Sequence, residues 1–365
     1  MKRRKTRTIK LGNVKIGGNA PISIQSMAKT DTRDISATVR QIKSLTDSGC
    51  EIIRVAVKDK TSAEAIAKIR RKISIPLEAD IHFDYKLALL SIESGAEGIR
   101  LNPGNIRKPS EVKEVIKAAK SKKISIRIGA NSGSLPIPYT LQPTAYSQAD
   151  TMVKVISDYL KIFEKEKFYD IMISLKASDV ITTIDAYRKM AKVCDYPFHL
   201  GVTATGTDNE GIIKSAIGIG TLLAEGIGDT IRVSLTAAPE EEIIVGRQIL
   251  QALGLRSFGP DIISCPTCGR CQVDLVKIVQ EFKSQLSTVN CQLSTVKPLS
   301  VAIMGCEVNG PGEAKESDIG IAFGKDSGAL FKKGKIIKKV KAKDAVKELL
   351  KEVESLVGAA SRRRI

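Results

Sequence analysis

Near the C-terminal end of this 365-residue chain, four thiols sit in two glycine- and proline-rich stretches. They are Cys265-Pro-Thr-Cys268-Gly-Arg-Cys271 and, about forty residues on, Met304-Gly-Cys306-Glu-Val-Asn-Gly-Pro-Gly-Glu313. Two thiols separated by two residues in a turn can face one metal, and a third from a second loop closes the site. Spacing alone offers Cys265, Cys268 and Cys271 as the consecutive thiols of a ferredoxin-like run, with Cys306 as fourth ligand of a [4Fe-4S] cluster. A structural zinc site from the same four thiols is the alternative, although zinc sites usually pair two close Cys or His doublets and the distal stretch offers one Cys. Glu313, seven residues after Cys306, adds a carboxylate, a weaker and more exchangeable partner for cluster iron than a thiolate. An iron held that way can open to substrate, which makes Glu313 a candidate catalytic residue and its loop neighbour Asn309 a candidate substrate contact.

Upstream, short β-branched runs alternate with amphipathic helical runs. Strands are expected over 22–26, 52–57, 77–82, 98–102, 125–129, 170–175, 197–203 and 230–235, after an N-terminal hairpin over 8–18. Helices are expected over 37–48, 62–72, 110–121, 148–165, 180–193, 212–225 and 240–253. Eight βα units in about 240 residues predict a (β/α)8 TIM-type barrel, followed by a second, smaller α+β iron–sulfur domain. The expected division is barrel 1–253, linker 254–261 around Gly259-Pro260, and cluster domain 262–365, the last with helices over 273–285 and 345–356 and strands over 301–304, 319–323 and 336–340.

Arg54, Arg100, Arg127 and Arg232 each stand between two aliphatic residues on an expected strand. Side chains alternate across a strand, so the aliphatic flanks face the helices and the guanidinium groups face the barrel axis. Any one of them can be a structural ion pair with Glu78 or Asp80, which share a face with His82. Four exceed that supply of carboxylates, and unpaired buried charge is costly. A diphosphate is the simplest counter-charge, clasped by the planar fork of arginine. Asn102, Asn131, Ser174, Lys176, His199, Thr203 and Ser234 extend the same face at the C-terminal rim, where such barrels work. Asp80 and His82 are the catalytic candidates of the rim. Asn102-Pro-Gly-Asn105 and Gly129-Ala-Asn-Ser-Gly133 read as turns able to offer backbone N–H groups to phosphate.

A net charge of +18 invites a nucleic-acid reading, but its distribution argues otherwise. Residues 1–10 carry six basic side chains, 332–343 seven lysines and 361–365 three arginines, with no acid in any of these segments. Such runs are usually solvated surface, and aromatic residues are only 4% of the chain with no Trp, leaving few stacking platforms for single strands. No nucleic-acid partner is expected, whereas an acidic electron carrier would be steered by the charge. There is no apolar run of membrane-spanning length and no apolar segment behind the basic N-terminus, so no membrane partner and a cytoplasmic location are expected. Seven cysteines suit a reducing compartment. Cys50 and Cys194 read as packing residues. Gln285-Leu-Ser-Thr-Val-Asn-Cys is nearly repeated by Gln292-Leu-Ser-Thr-Val-Lys, a surface insertion that makes Cys291 an improbable ligand.

The last barrel helix returns toward the N-terminal face, opposite the rim. A linker of eight residues reaches at most about 28 Å, little enough that the cluster is expected to serve the barrel of another subunit in a head-to-tail homodimer.

Ser264-Cys-Pro-Thr-Cys-Gly-Arg, Met304-Gly-Cys-Glu-Val-Asn-Gly-Pro-Gly-Glu-Ala, Ala79-Asp-Ile-His-Phe-Asp, Ile99-Arg-Leu-Asn-Pro-Gly-Asn and Leu175-Lys-Ala-Ser together resemble bacterial 4-hydroxy-3-methylbut-2-enyl diphosphate synthase, from about Thr8 to Leu356. That family is the iron–sulfur enzyme of the methylerythritol phosphate route to isoprenoids, a homodimer of barrel plus cluster domain. The resemblance implies a [4Fe-4S] cluster held by Cys265, Cys268, Cys306 and Glu313, setting aside Cys271, whose place in the family is commonly a Thr. It implies substrate contacts for Arg54, Arg100, Asn102, Arg127, Asn131, Lys176, Arg232 and Ser234. The implied reaction is the two-electron reductive ring opening and dehydration of 2-C-methyl-D-erythritol 2,4-cyclodiphosphate, with reduced flavodoxin or ferredoxin as donor. One departure stands out: Thr203-Ala204-Thr205 lacks the Glu that commonly follows the Thr. Two rival readings are a pterin-binding-type barrel enzyme with an appended metal domain and a zinc-bearing RNA-binding protein using the basic termini.

Overall fold

The computed structural model describes residues 2–135, 147–203, 205–286 and 299–362. The chain divides into two compact units, Met1–Leu253 and Gly254–Ile365. Ala204, Cys291 and nearly all of the repeated heptapeptide lie outside the described residues.

The first unit begins with a hairpin, β1 (Ile9–Leu11) and β2 (Val14–Ile16), paired antiparallel. Eight strands follow: β3 (Ser23–Met27), β4 (Ile52–Val57), β5 (Leu77–Ile81), β6 (Gly98–Leu101), β7 (Ser125–Asn131), β8 (Ile171–Lys176), β9 (His199–Leu200) and β10 (Thr230–Ile231). They form one parallel sheet in the order β8-β7-β6-β5-β4-β3-β10-β9. A parallel bridge from Ile173 to Phe198, with the Ile173 N–H donating to Pro197 O at 3.0 Å, brings its two ends together, so the barrel is nearly closed. The aliphatic neighbours of the arginines, Ile53, Val55, Ile99, Leu101, Ile126 and Ile128, are fully buried.

The helices are α1 (Ile35–Asp47), α2 (Lys60–Arg70), α3 (Tyr85–Glu93), α4 (Pro109–Lys122), α5 (Gln148–Lys165), α6 (Val180–Ala191), α7 (Asp208–Ala224) and α8 (Pro239–Ala252). Their starts are written in capping chemistry. Asp34, Asp59, Ser147 and Asp179 each accept a first-turn N–H, and Pro109 and Pro239 occupy the first turn where a missing N–H costs nothing. Helix α3 escapes the sequence reading because Leu87, Ala88, Leu89, Leu90 and Ile92 leave it little amphipathic contrast. The seventh and eighth strands are shorter than expected: past Leu200 the chain leaves the ladder, and the Thr203 N–H donates instead to Ala177 O at 3.0 Å.

The hairpin plugs the N-terminal end of the barrel, burying Ile9, Leu11 and Ile16 against Ile52 and Met172. The segment before it is structural, not merely solvated. Arg4 N–H donates to Gly226 O and Arg7 N–H to Asp195 O, each at 2.8 Å. The Arg4 guanidinium lies 4.0 Å over the Phe198 ring and donates to Cys194 O at 2.6 Å and Tyr196 O at 2.5 Å. Arg3 pairs with Asp229 at 3.0 Å, and Asp229 also accepts the Phe198 N–H at 2.9 Å. Cys50 is buried and donates to Ile52 O at 3.1 Å, with burial pushing its thiol up to about 12; Cys194 is partly buried.

The second unit holds β11 (Asp261–Ser264), α9 (Leu275–Leu286), β12 (Ser300–Met304), α10 (Gly310–Glu316), β13 (Ile319–Phe323), β14 (Ser327–Lys332), β15 (Lys335–Lys341) and α11 (Ala345–Arg362). The sheet runs β11-β12-β13-β14-β15, parallel across its first three strands and antiparallel across its last three. Alternation gives the sheet two apolar faces. Val301, Ile303, Ile319, Ile321 and Leu330 pack with Phe282 of α9 and with Leu349 and Val353 of α11, while Ala302, Met304, Ala322 and Phe331 pack with Ala314 of α10. Strands β11 and β14 are additions to the sequence reading. The lysine-rich segment is the sheet's edge strand β15, where exposed charge opposes edge-to-edge pairing. Among the described residues no helix is long and apolar enough to cross a membrane.

Arg4→Ala is expected to lower unfolding free energy by about 2 kcal/mol, from loss of charged hydrogen bonds to two carbonyls. Urea titration measures it; a loss below about 0.5 kcal/mol would show the strap to be dispensable.

Candidate functional site

The strand register builds the barrel mouth. Arg54 stands beside Glu78, Asp80 beside Arg100, and Arg100 beside Arg127, on adjacent strands β4 to β7. Deepest is a layer of three: Arg127 pairs with Glu78 at 2.7 Å and donates to Gln25 Oε1 at 2.9 Å, and Gln25 Nε2 donates to Glu78 at 3.1 Å. Above it Asp80 meets Arg100 at 3.1 Å and Arg54 at 3.6 Å. Arg100 also donates to Gly129 O at 3.0 Å. Gln25 was not singled out by sequence; its signal is a polar side chain facing inward on the first barrel strand.

Lys176, at the end of β8, is 6% exposed and lies 3.2 Å from Nε2 of His199, which is 0% exposed. Tyr187 fixes this corner by donating to His199 O at 2.5 Å and accepting the Leu175 N–H at 3.0 Å. Gly201 makes room for it, since a Cβ there would stand 2.6 Å from the lysine Nζ. Arg232 is half-buried, with its Nε lacking a hydrogen-bond partner, as does His199 Nδ1. Five cations, Arg54, Arg100, Arg127, Arg232 and Lys176, therefore share this mouth with two carboxylates, Glu78 and Asp80, while buried Glu242, whose charge also favours Arg232, is paired with a further cation, Lys29, at 3.2 Å. The consequences are electrostatic. Burial, reinforced by Arg232, Arg127, Arg54 and Arg100, pulls the Lys176 pKa well below the ordinary 10.5. Burial and Lys176 likewise pull His199 well below 6.5, so it is neutral. Burial opposes ionisation of Asp80, but Arg54, Arg100 and Arg127 outweigh it and hold the carboxyl at about 2.

The remaining rim residues differ in availability. Ser174 is 4% exposed and paired in register with Gly129; Asn131, paired with Lys176, is partly exposed, as are Thr203, Ser234 and His82. Asn102 is committed locally, donating to Ser134 Oγ at 2.9 Å and accepting the Gly104 N–H at 2.9 Å. Its carbonyl also accepts from Asn105 at 2.9 Å and Ile106 at 3.1 Å, so this turn spends its N–H groups on itself rather than offering them to phosphate. The second expected turn is instead the end of β7, which pairs with β8 as far as Asn131.

In the second unit, Cys265, Cys268, Cys306, Asn309 and Glu313 line one cavity of about 400 Å³, with Thr267, Arg270 and Met304. Thr267 adopts φ +61°, a left-handed turn between Cys265 and Cys268. The second stretch, read in sequence as a loop, is helical from Gly310, with Pro311 in the first turn of α10 and Glu313 on that same turn. Backbone N–H groups of Asn309 and Val308 hold the Cys306 pKa below its usual value. Cys271 is absent from this lining; its thiol donates to Val273 O at 3.3 Å and packs on the domain core. Among the described residues no three His, Cys, Asp or Glu side chains converge on a single metal-ion position.

A nearly closed parallel barrel with surplus cations at its mouth, joined in one chain to an α+β unit with a thiol-lined cavity, defines a two-domain TIM-barrel protein with a candidate anion site and a candidate metal centre. Residues 6–247 match the GcpE TIM-barrel domain and residues 261–355 the GcpE protein C-terminal domain. The chain belongs to the GcpE family. A 4-hydroxy-3-methylbut-2-en-1-yl diphosphate synthase (flavodoxin) of Caldanaerobacter subterraneus subsp. tengcongensis is 54% identical over 97% of this chain and 98% of its own length. Proteins of the same name from Clostridium perfringens and Bacillus subtilis are 54% and 51% identical, over 98% and 97% of this chain and 100% and 92% of their own lengths. Among solved structures, a dihydropteroate synthase of Stenotrophomonas maltophilia aligns with TM-score 0.49 at 11% identity, over 67% of this chain and 98% of that one.

An anion entering the mouth offsets the field that depresses Lys176, so its pKa must rise on binding. Binding of sulfate, which is fully ionised at neutral and alkaline pH and has no proton of its own to exchange, is therefore expected to take up protons on the alkaline side of neutrality, read as a dependence of calorimetric heat on buffer ionisation enthalpy. Lys176→Met should abolish that dependence; uptake undiminished in this variant would assign the proton elsewhere.

Proposed function

We propose that this chain catalyses the two-electron reductive ring opening and dehydration of 2-C-methyl-D-erythritol 2,4-cyclodiphosphate to 4-hydroxy-3-methylbut-2-enyl diphosphate, in isoprenoid biosynthesis in the cytoplasm. The observation that carries this reading is the pairing of a barrel mouth holding five cations against two carboxylates with a thiol-lined cavity, in a chain whose relatives bear that enzyme's name.

The cyclodiphosphate supplies the missing negative charge. Arg232, Arg54, Arg100 and Lys176 contact its phosphoryl oxygens, while Arg127, braced by Gln25 and Glu78, adds field from below. Asn131, Ser174, Thr203 and Ser234 supply neutral hydrogen bonds, and Asn102 holds the rim loop. Asp80 is kept ionised and so orients Arg54 and Arg100 rather than donating a proton. His82, partly exposed beside the exposed Phe83, is a further polar side chain of the rim. Lys176 and neutral His199 exchange one proton over 3.2 Å, and the protonated ammonium suits the diphosphate formed when the ring C–O bond breaks. The hydroxyl lost must also take a proton to leave as water.

The cavity residues fit a [4Fe-4S] cluster held by Cys265, Cys268, Cys306 and Glu313. A single zinc ion would draw four donors onto one point about 2.3 Å away, whereas these donors ring a cavity of about 400 Å³. Backbone N–H groups lower the Cys306 pKa, and Cys271 turns away, its thiol donating to Val273 O. When bound, the cluster supplies single electrons and an iron whose carboxylate ligand is exchangeable. Glu313 is the residue that moves aside, and Asn309 borders the opening. The donor is a reduced flavodoxin, as in the relatives' name, or a ferredoxin. The working form is a homodimer in which each cluster serves the partner's barrel, an arrangement supported by the short reach of the linker.

Anaerobic reconstitution is expected to give about four irons and four sulfides per chain. Cys306→Ser should lose the cluster, Glu313→Ala should lose turnover at least about 100-fold, and Cys271→Ser should keep full iron and sulfide. Loss of cluster in Cys271→Ser would return the ligand set to four thiols. Mixing inactive Lys176→Met with inactive Cys306→Ser should restore about a quarter of wild-type activity through heterodimers with one intact site. No restoration after verified subunit exchange would sink the shared-site arrangement.

A further inference from the structure

One residue, Gly305, bonds to the first ligand loop through both of its backbone polar groups. Gly305 directly precedes Cys306, and its N–H donates to Cys265 Sγ at 3.3 Å. Its carbonyl accepts the Gln272 N–H at 3.2 Å, which links the two loops by backbone, while the Cys271 N–H donates to Cys268 O at 2.9 Å within the first loop. The face of Gly305 is filled by Cys271: a Cβ added at 305 would stand 2.3 Å from the Cys271 Sγ and 3.3 Å from Leu275 Cδ2. The Cys271 thiol is fixed in turn by its bond to Val273 O at 3.3 Å. Every side of the Gly305 peptide is thus held, and the direction of its N–H with it.

We propose that Cys271 is a positioning residue of the cluster centre, seating Gly305 so that its N–H is aimed at the sulfur of Cys265. A hydrogen bond to a ligand sulfur withdraws negative charge from it and favours the reduced cluster, which raises the reduction potential. Cys271 therefore acts on the cluster without touching it, through the glycine that its bulk selects. The proposal rests on the cluster reading given above and assigns a purpose to the one thiol of the Cys-X-X-Cys-X-X-Cys run that does not line the cavity.

The test is a double-mutant cycle between Gly305→Ala and Cys271→Ala with two readouts. In cluster-free protein, Gly305→Ala is expected to lower the melting temperature, and Cys271→Ala in the same chain to restore much of it, because the sulfur that clashes is gone. In reconstituted protein, redox titration followed by electron paramagnetic resonance should show a more negative potential for Gly305→Ala and for Cys271→Ala, with the double variant closer to wild type than Gly305→Ala. A normal cluster whose potential is indifferent to both substitutions would overturn the proposal and leave the cluster reading intact. So would additive losses of melting temperature, since they would mean that the two residues do not share the contact. A wild-type protein that takes up no iron and sulfide would overturn the cluster reading, and this proposal with it.

Discussion

Like charges crowded out of water govern the first unit. At an effective dielectric of about 20, two unit charges about 6 Å apart repel by about 3 kcal/mol, and the barrel mouth gathers five cations around two carboxylates. Asp80 is spent on Arg54 and Arg100, and Glu78 on Arg127. Arg232 and Lys176 carry the surplus, and Lys176 answers by a lowered affinity for its proton. Such a centre is costly to the empty protein, and the anion proposed above would offset that cost.

A centre of that kind needs a stiff frame. The frame is provided at the opposite end of the same strands, where the β1–β2 hairpin fills the barrel with Ile9, Leu11 and Ile16 and the N-terminal arginines clamp the start of β9 through Cys194 O, Tyr196 O and Asp229. Strand β9 carries His199, whose carbonyl is held by Tyr187 and whose ring faces Lys176. The basic N-terminus and the basic mouth thus have different purposes. The first satisfies carbonyls and one carboxylate; the second is left with cations in excess.

These purposes were unequally legible in the sequence. Alternation placed Arg54, Arg100 and Arg127 inward because their aliphatic neighbours define the outward face, and that pattern has a period of two whatever the partner strands are. The chain order of eight βα units likewise followed from periodicity. Helix α3 did not, since an almost uniformly apolar segment has no face to read. Nor did the depth ordering along the axis, because register depends on which strands pair: only the structure sets Gln25, Glu78 and Arg127 in one buried layer below Asp80. Composition also misassigned the N-terminal arginines to solvent, because a guanidinium that satisfies backbone carbonyls looks in sequence like one that satisfies water.

The thiol region shows the same limit in a sharper form. Spacing made Cys271 equivalent to Cys265 and Cys268, and it took resemblance to a family to set it aside. The physical distinction lies in where the side chain is already committed. Both Cys265 and Cys271 touch the domain core, but Cys265 accepts the Gly305 N–H and lines the cavity, whereas Cys271 donates to the Val273 carbonyl and does not line it. A thiol can both donate and accept, and the roles that Cys271 and Cys265 take here are not encoded in the letter or its spacing. They are fixed by the neighbouring glycine, whose missing Cβ lets one sulfur press on the backbone while the other is bonded by it.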